Sequence, residues 1–191
     1  TRHLMGTDDI GRDISAGVVY GIGTSLYIGI ISVTIAFVVG IVLGSLSGYA
    51  GGMVDEVLMR IIEIFQVVPS FVLALIIVTF FSPSLNNIIL TIALVSWPST
   101  ARLTRAQFLS FKDREFVLSA KALGVSGLSI TFREILPNAI SPVLVNGAVQ
   151  IGTSILTESG LSFLGLSDFS VMSLGRILGN AQPYLTRAPW M

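Results

Sequence analysis

Four apolar stretches, set apart by short polar ones, run along the chain. Leu26 to Gly48 holds 23 positions without a charge, which as a helix covers about 34 Å, enough for a bilayer core. The second stretch begins near Val54, opens with Asp55, Glu56, Arg60 and Glu63, runs apolar from Ile64 to Phe81 with Pro69 inside, and stops at Ser82-Pro83-Ser84. The third, Ile88 to Thr100, is too short alone, so a span here continues through Arg102 and Arg105, whose long side chains would snorkel to the interface. The fourth, Ala139 to about Thr157, is long enough but dotted with Pro142, Asn146, Gln150 and Ser154. The pattern predicts an all-α membrane protein with about four transmembrane helices.

Composition agrees: 52% of residues are hydrophobic and 12% charged, against roughly a quarter charged in soluble domains. The formal net charge is zero with no dense basic run, which excludes a nucleic-acid partner. Cysteine is absent, so disulfides, thiolate nucleophiles and Cys-ligated metals are excluded. His3, the one histidine, has no neighbour at metal-ligand spacing and reads as a solvated or capped terminal residue.

Basic residues set the orientation. Arg102, Arg105, Lys112, Arg114, Lys121 and Arg133 lie between the third and fourth spans, against Arg2, Arg12, Arg176 and Arg187 at the two ends. The positive-inside rule therefore places residues 106 to 135 in the cytoplasm and both ends outside. An outside start at Thr1 without a leader reads as a fragment lacking flanking spans, and Pro189-Trp190 fits the interfacial start of another one.

Several positions are candidates for packing or function. Prolines 69, 98 and 142 each fall within a span, where they kink a helix. Gly40, Gly44 and Gly48 form a small-residue face for close helix approach, within this chain or against another. Asn146, Gln150, Ser154 and Thr157, spaced by four, four and three, form a polar face that either lines a translocation path or bonds a neighbouring helix; the path is preferred. Arg60 and Glu63 are placed to pair. Glu158, at the outer end of the fourth span, reads as a solvated carboxylate, and Thr7 or Asp8 as the cap of a short helix. Neither Lys112 nor Lys121 follows a phosphate-cradling glycine spacing, so ATP, if used, is bound by another polypeptide.

The stretch from Arg114 to Ala139 is polar between apolar segments. Phe116, Ala120 and Leu123 share one face of a short helix, Gly124 and Gly127 bracket a break, Ser126 caps a second segment, and Pro137 marks the entry to the fourth span. Its basic content is low for a membrane-surface helix, so it is expected to dock into a partner.

Here the residues resemble a family. Ala120, Gly124, Leu136 and Pro137 match the cytoplasmic EAA loop of ABC-importer permeases, although Leu118 and Ser119 replace its Glu and first Ala, and Glu134 stands where many members have Ile. HLMGTDDIGRD before the first span, GGMVDEVLMRIIEI before the second and ESGLSFLGL after the fourth resemble the dipeptide, oligopeptide and nickel branch. In place of that branch's Pro-rich, Trp-containing outer loop stands SDFSVMSLGRIL.

The resemblance implies a single permease domain over residues 1–191, a helical bundle matching the second to fifth spans of a six-span subunit. It implies a cytoplasmic coupling loop at 114–137 and an outer loop or helix at 158–191. Glu115, Leu118, Ser119, Ala120, Leu123, Gly124, Leu136 and Pro137 would form the coupling and ATPase-docking site. Also implied are multi-pass insertion in a prokaryotic cytoplasmic membrane, a second homologous permease, two ABC ATPase subunits holding ATP and Mg, and an extracytoplasmic substrate-binding protein. The chain itself would bind no cofactor or metal and catalyse nothing; it would pass di- or oligopeptides. Nickel or another small solute is the alternative within the branch. An ion-coupled secondary transporter is disfavoured, because the candidate intramembrane ionisable groups, Arg60, Glu63, Arg102 and Arg105, all sit near the inner edge.

Overall fold

The computed structural model describes His3, residues 5–168 and residues 170–186; the expectations for Arg2, Arg187 and Pro189-Trp190 fall outside these. Helices account for nearly all of it: α1 (Ile14–Ala50), α2 (Gly52–Val67), α3 (Ser70–Thr79), α4 (Leu85–Phe111), α5 (Glu115–Ala122), α6 (Gly127–Ser129), α7 (Leu136–Phe163) and α8 (Leu174–Ala181). A π-helical turn, Ile130–Ile135, joins α6 to α7, and a 3-10 turn, Gln182–Tyr184, follows α8. The described residues pack as two compact units. The first comprises residues up to Ser32, Ala74–Ile92 and the residues from Ile151 on; the second comprises Val33–Leu73 and Ala93–Gln150.

By length and composition two helices can cross a membrane, Ile14–Ala50 and the continuous Gly127–Phe163, each of 37 residues. The first span starts well before Leu26, because Asp13 caps it. Its Oδ1 accepts from the Ser15 N–H at 2.8 Å and the Ala16 N–H at 3.4 Å. Neither Thr7 nor Asp8 caps a helix; Asp8 instead closes a turn by accepting from the Ile10 and Arg12 N–H groups, and His3 is paired with Asp13 at 2.9 Å. Hydrogen bonds from Ser15 and then His3 hold the Asp13 carboxyl well below the usual carboxylate range.

The second apolar stretch is broken rather than kinked. Val68, forced out of the helical region by the following proline, is extended at φ −91°, ψ 133°. Helices α2 and α3 consequently meet at 85° and make one broken span or a re-entrant pair. Pro98 and Pro142 do lie inside α4 and α7. Helix α4 has 27 residues, about 40 Å.

In the second unit the glycine face has its partner within the chain. A Cβ on Gly40 would lie 2.6 Å from the Thr100 Cβ, one on Gly44 would run into the Ala101 carbonyl oxygen, and one on Gly48 would lie 2.5 Å from the Phe108 Cβ. The bare backbone of α1 thus lies directly on α4.

Candidate functional site

Residues 114–137, for which the family resemblance implies coupling, are built on the second unit. Glu115 occupies the first turn of α5 and Lys121 the last, each at the end its charge favours. The helix ends in a Schellman motif: the Gly124 N–H donates to the Lys121 carbonyl at 3.0 Å and the Val125 N–H to the Ala120 carbonyl at 3.1 Å. Gly124 supplies the left-handed residue, φ +76°, and a Cβ there would meet nothing within 4 Å. Within this chain its role is backbone conformation. Gly124→Val is expected to destabilise the loop by about 1 to 2 kcal/mol, and Gly124→Asn by less, since Asn tolerates this region. Faster hydrogen exchange at 120–126 in the Val variant alone checks this.

Ala120 does not share an outward face with Phe116 and Leu123. It is buried with Val117 in a cluster of Phe108, Ile130, Ile135 and Ala139, against which Tyr49, Phe111 and Leu136 also pack. Burial follows the 117/120 pair, three apart, and this turns Leu118 and Leu123 outward at 49% and 84% exposure. Of the eight candidates, Glu115, Leu118, Ser119, Leu123, Gly124 and Pro137 are exposed, Leu136 is half-buried and Ala120 is buried. Ser126 caps the next segment, accepting from the Ser129 N–H at 3.4 Å. Gly127 seats that segment against the Tyr49 ring, 3.0 Å from where its Cβ would stand.

The polar stripe divides. In the second unit, Gln150 accepts from the Thr100 hydroxyl at 3.3 Å and donates its amide to the Ser99 Oγ, so it bonds α7 to α4. The Asn146 amide oxygen is buried and finds no hydrogen-bond partner among the described residues. In the first unit Ser154 is buried, and half-buried Thr157 donates to the Thr153 carbonyl at 2.9 Å.

Two charged centres were not evident from spacing. Glu158 is not solvated but 1% exposed. Its Oε2 accepts from the Ser25 hydroxyl at 2.8 Å and its Oε1 from the Ser162 hydroxyl at 2.6 Å. The same Ser25 oxygen accepts the Leu174 N–H at 3.4 Å, tying α1, α7 and the start of α8 to one carboxylate. In the second unit Arg105 does not snorkel: its Nε donates to the Asp55 Oδ1 at 2.5 Å and its Nη2 to Oδ2 at 2.6 Å. Ser47 also donates to Oδ1. The signal for this pair was an arginine in a helix that otherwise reads as a span. The Arg60–Glu63 pair forms as expected, at 3.1 Å and exposed.

Residues 40–186 match the family described as binding-protein-dependent transport system inner membrane component. The chain belongs to this family. The inner membrane component is 40% identical over 189 residues to the dipeptide transport system permease protein DppC of Alkalihalophilus pseudofirmus, covering 98% of this chain and 62% of that protein. To the oligopeptide transport system permease protein OppC of Bacillus subtilis it is 35% identical over 189 residues, with 98% and 62% covered. The chain thus spans a little under two thirds of the length of these relatives. A solved structure of the MetNI methionine ABC transporter, inward facing, superposes with a TM-score of 0.74 at 22% identity, covering 91% of this chain and 83% of the other. At that identity the likeness is one of fold, and the fold is that of an all-α ABC-importer permease.

Proposed function

We propose that this inner membrane component is the transmembrane subunit of an ATP-driven importer of di- or oligopeptides. Relatives over nearly the whole chain carry dipeptide or oligopeptide permease names, which favours peptides over nickel or another small solute. The observation that carries coupling is the α5 loop, with one edge sunk in a buried cluster and an apolar edge of Leu118, Leu123 and Leu128 left exposed. An exposed apolar edge on a rigid base suits insertion into a protein groove. We assign its occupant as one of two ATPase subunits holding ATP and Mg, with a second permease and an extracytoplasmic binding protein completing the transporter in a prokaryotic cytoplasmic membrane. Hydrolysis belongs to the ATPase subunits, not to this chain. We assign the polar stripe, Asn146, Gln150, Ser154 and Thr157, to the translocation path.

Leu123→Asp tests the coupling assignment. At 84% exposure Leu123 contributes little to folding, whereas burying a leucine in a groove is worth about 1.5 to 3 kcal/mol, a ten- to hundredfold change in affinity. The variant is expected to reach the membrane at wild-type yield and to lose ATPase co-purification. Wild-type co-purification together with wild-type peptide-stimulated hydrolysis would reject the docking role of this edge.

A further inference from the structure

Resting on the coupling role just proposed, we infer that the Asp55–Arg105 pair is a positioning device through which α2 follows the movement of the coupling loop. The start of helix α2 is lightly held. Its connection to α1 is a turn of two left-handed glycines, Gly51 at φ +66° and Gly52 at φ +55°, and no side chain caps its start. Ile62 is its one buried residue among those described, packed with Ala36, Trp97 and Ala101. Met59 and Phe65 pack against the same cluster, Phe65 edge-on to Trp97, and the anchor at the start of the helix is Asp55, with both carboxylate oxygens engaged by the Arg105 fork and one also by Ser47.

The Arg105 end of that anchor is continuous with the coupling loop. Phe108 lies one turn further along α4 and is fully buried in the cluster that receives Val117 and Ala120 of α5. Arg105 itself is braced from behind, for a Cβ on Gly48 would stand 3.0 Å from its carbonyl oxygen. Displacing α5 therefore displaces the end of α4, and a two-bond fork transmits direction as well as distance, which a single hydrogen bond does not. The pair is shielded but not sealed, with side-chain exposures of 26% and 18%, so it can be broken and remade without exposing a core.

The test uses the complete transporter in proteoliposomes, with labelled dialanine as the probe and its uptake measured per ATP hydrolysed. Arg105→Gln and Asp55→Asn should each retain the ATPase and its stimulated hydrolysis while moving at least fivefold less dialanine per ATP. The double reversal Asp55→Arg with Arg105→Asp should return this ratio to within twofold of wild type, a rescue that mere loss of packing would not show. Ser47→Ala, which removes one of the three bonds and no charge, should give an intermediate ratio and keeps the proposal open to test if a single charge variant does not fold. Wild-type ratios in the single variants, or a double reversal that inserts normally yet stays uncoupled, would overturn the inference. A wild-type transporter that moves no dialanine and shows no stimulated hydrolysis would overturn the function proposed above, and this inference with it; wild-type transport beside fully coupled variants overturns this inference alone.

Discussion

Gly44→Leu is expected to prevent assembly of the permease almost completely. Even the first carbon of the new side chain would collide with the Ala101 carbonyl oxygen and lie 2.7 Å from the Thr104 Cβ. The Ala101 side of that contact is backbone, which has no rotamer to change, so α1 and α4 must separate. Separation also costs the packing at Gly40 and Gly48, and the total reaches or exceeds about 3 kcal/mol, the upper end for overpacked sites. A bilayer cannot compensate, because lipid supplies no hydrophobic force between helices and their association depends on such close contact. The readout is folded yield and thermal midpoint in detergent. Gly23→Leu is the control: it stands on the same helix, and a Cβ there meets nothing within 4 Å. Equal midpoints for the two variants would show that α1 and α4 are not held by this seam.

Glu158→Ala should produce the second-largest effect, concentrated in the first unit. It removes the acceptor for the Ser25 and Ser162 hydroxyls. Hydrogen bonds to a charged group are each worth about 1.5 to 3 kcal/mol; relief from burying the charge offsets part of this, leaving a net loss of about 2 to 3 kcal/mol. Because the Ser25 oxygen also accepts the Leu174 N–H, loosening should spread to the start of α8, where Gly175 packs against the Ser159 carbonyl oxygen so closely that a Cβ would not fit. Hydrogen exchange across 170–181 should quicken, while exchange in α5 stays as in wild type. Glu158→Gln, which keeps one acceptor oxygen, should show roughly half the change. Unaltered exchange at 170–181 in the Ala variant would mean that the carboxylate does not hold α8.

Much of this was open to view in the order of residues. Uninterrupted apolar runs predict spans wherever lipid is the solvent, since a helix satisfies its own backbone and needs no distant partner. Local rules likewise account for the Ser126 cap, the prolines inside α4 and α7, and the Arg60–Glu63 pair, since each is decided within one or two turns. The break at Val68 is local as well, but a proline alone does not say whether a helix bends or stops; here α2 and α3 part by 85°.

Contacts between residues distant in sequence escaped that view. The glycine face was visible but its partner was not, because small residues permit close approach without naming the helix that approaches. Spacing places Ala120 on a face with Phe116 and Leu123, but a short amphipathic helix has two candidate apolar edges, and only the cluster of Phe108, Ile130, Ile135 and Ala139 chooses between them. The polar face admits either a path or a neighbouring helix for Gln150, and only the fold brings Ser99 and Thr100, fifty residues earlier, to its amide. Asp55 meets Arg105 across fifty residues and Glu158 meets Ser25 across more than a hundred, separations at which no periodicity operates. The sequence by itself determined the membrane class, the helical segments and the break between α5 and α6, because those follow from solvent and local backbone chemistry. Only the tertiary structure decided which faces are buried and which charges are paired, because burial and pairing are properties of the neighbours that folding brings together.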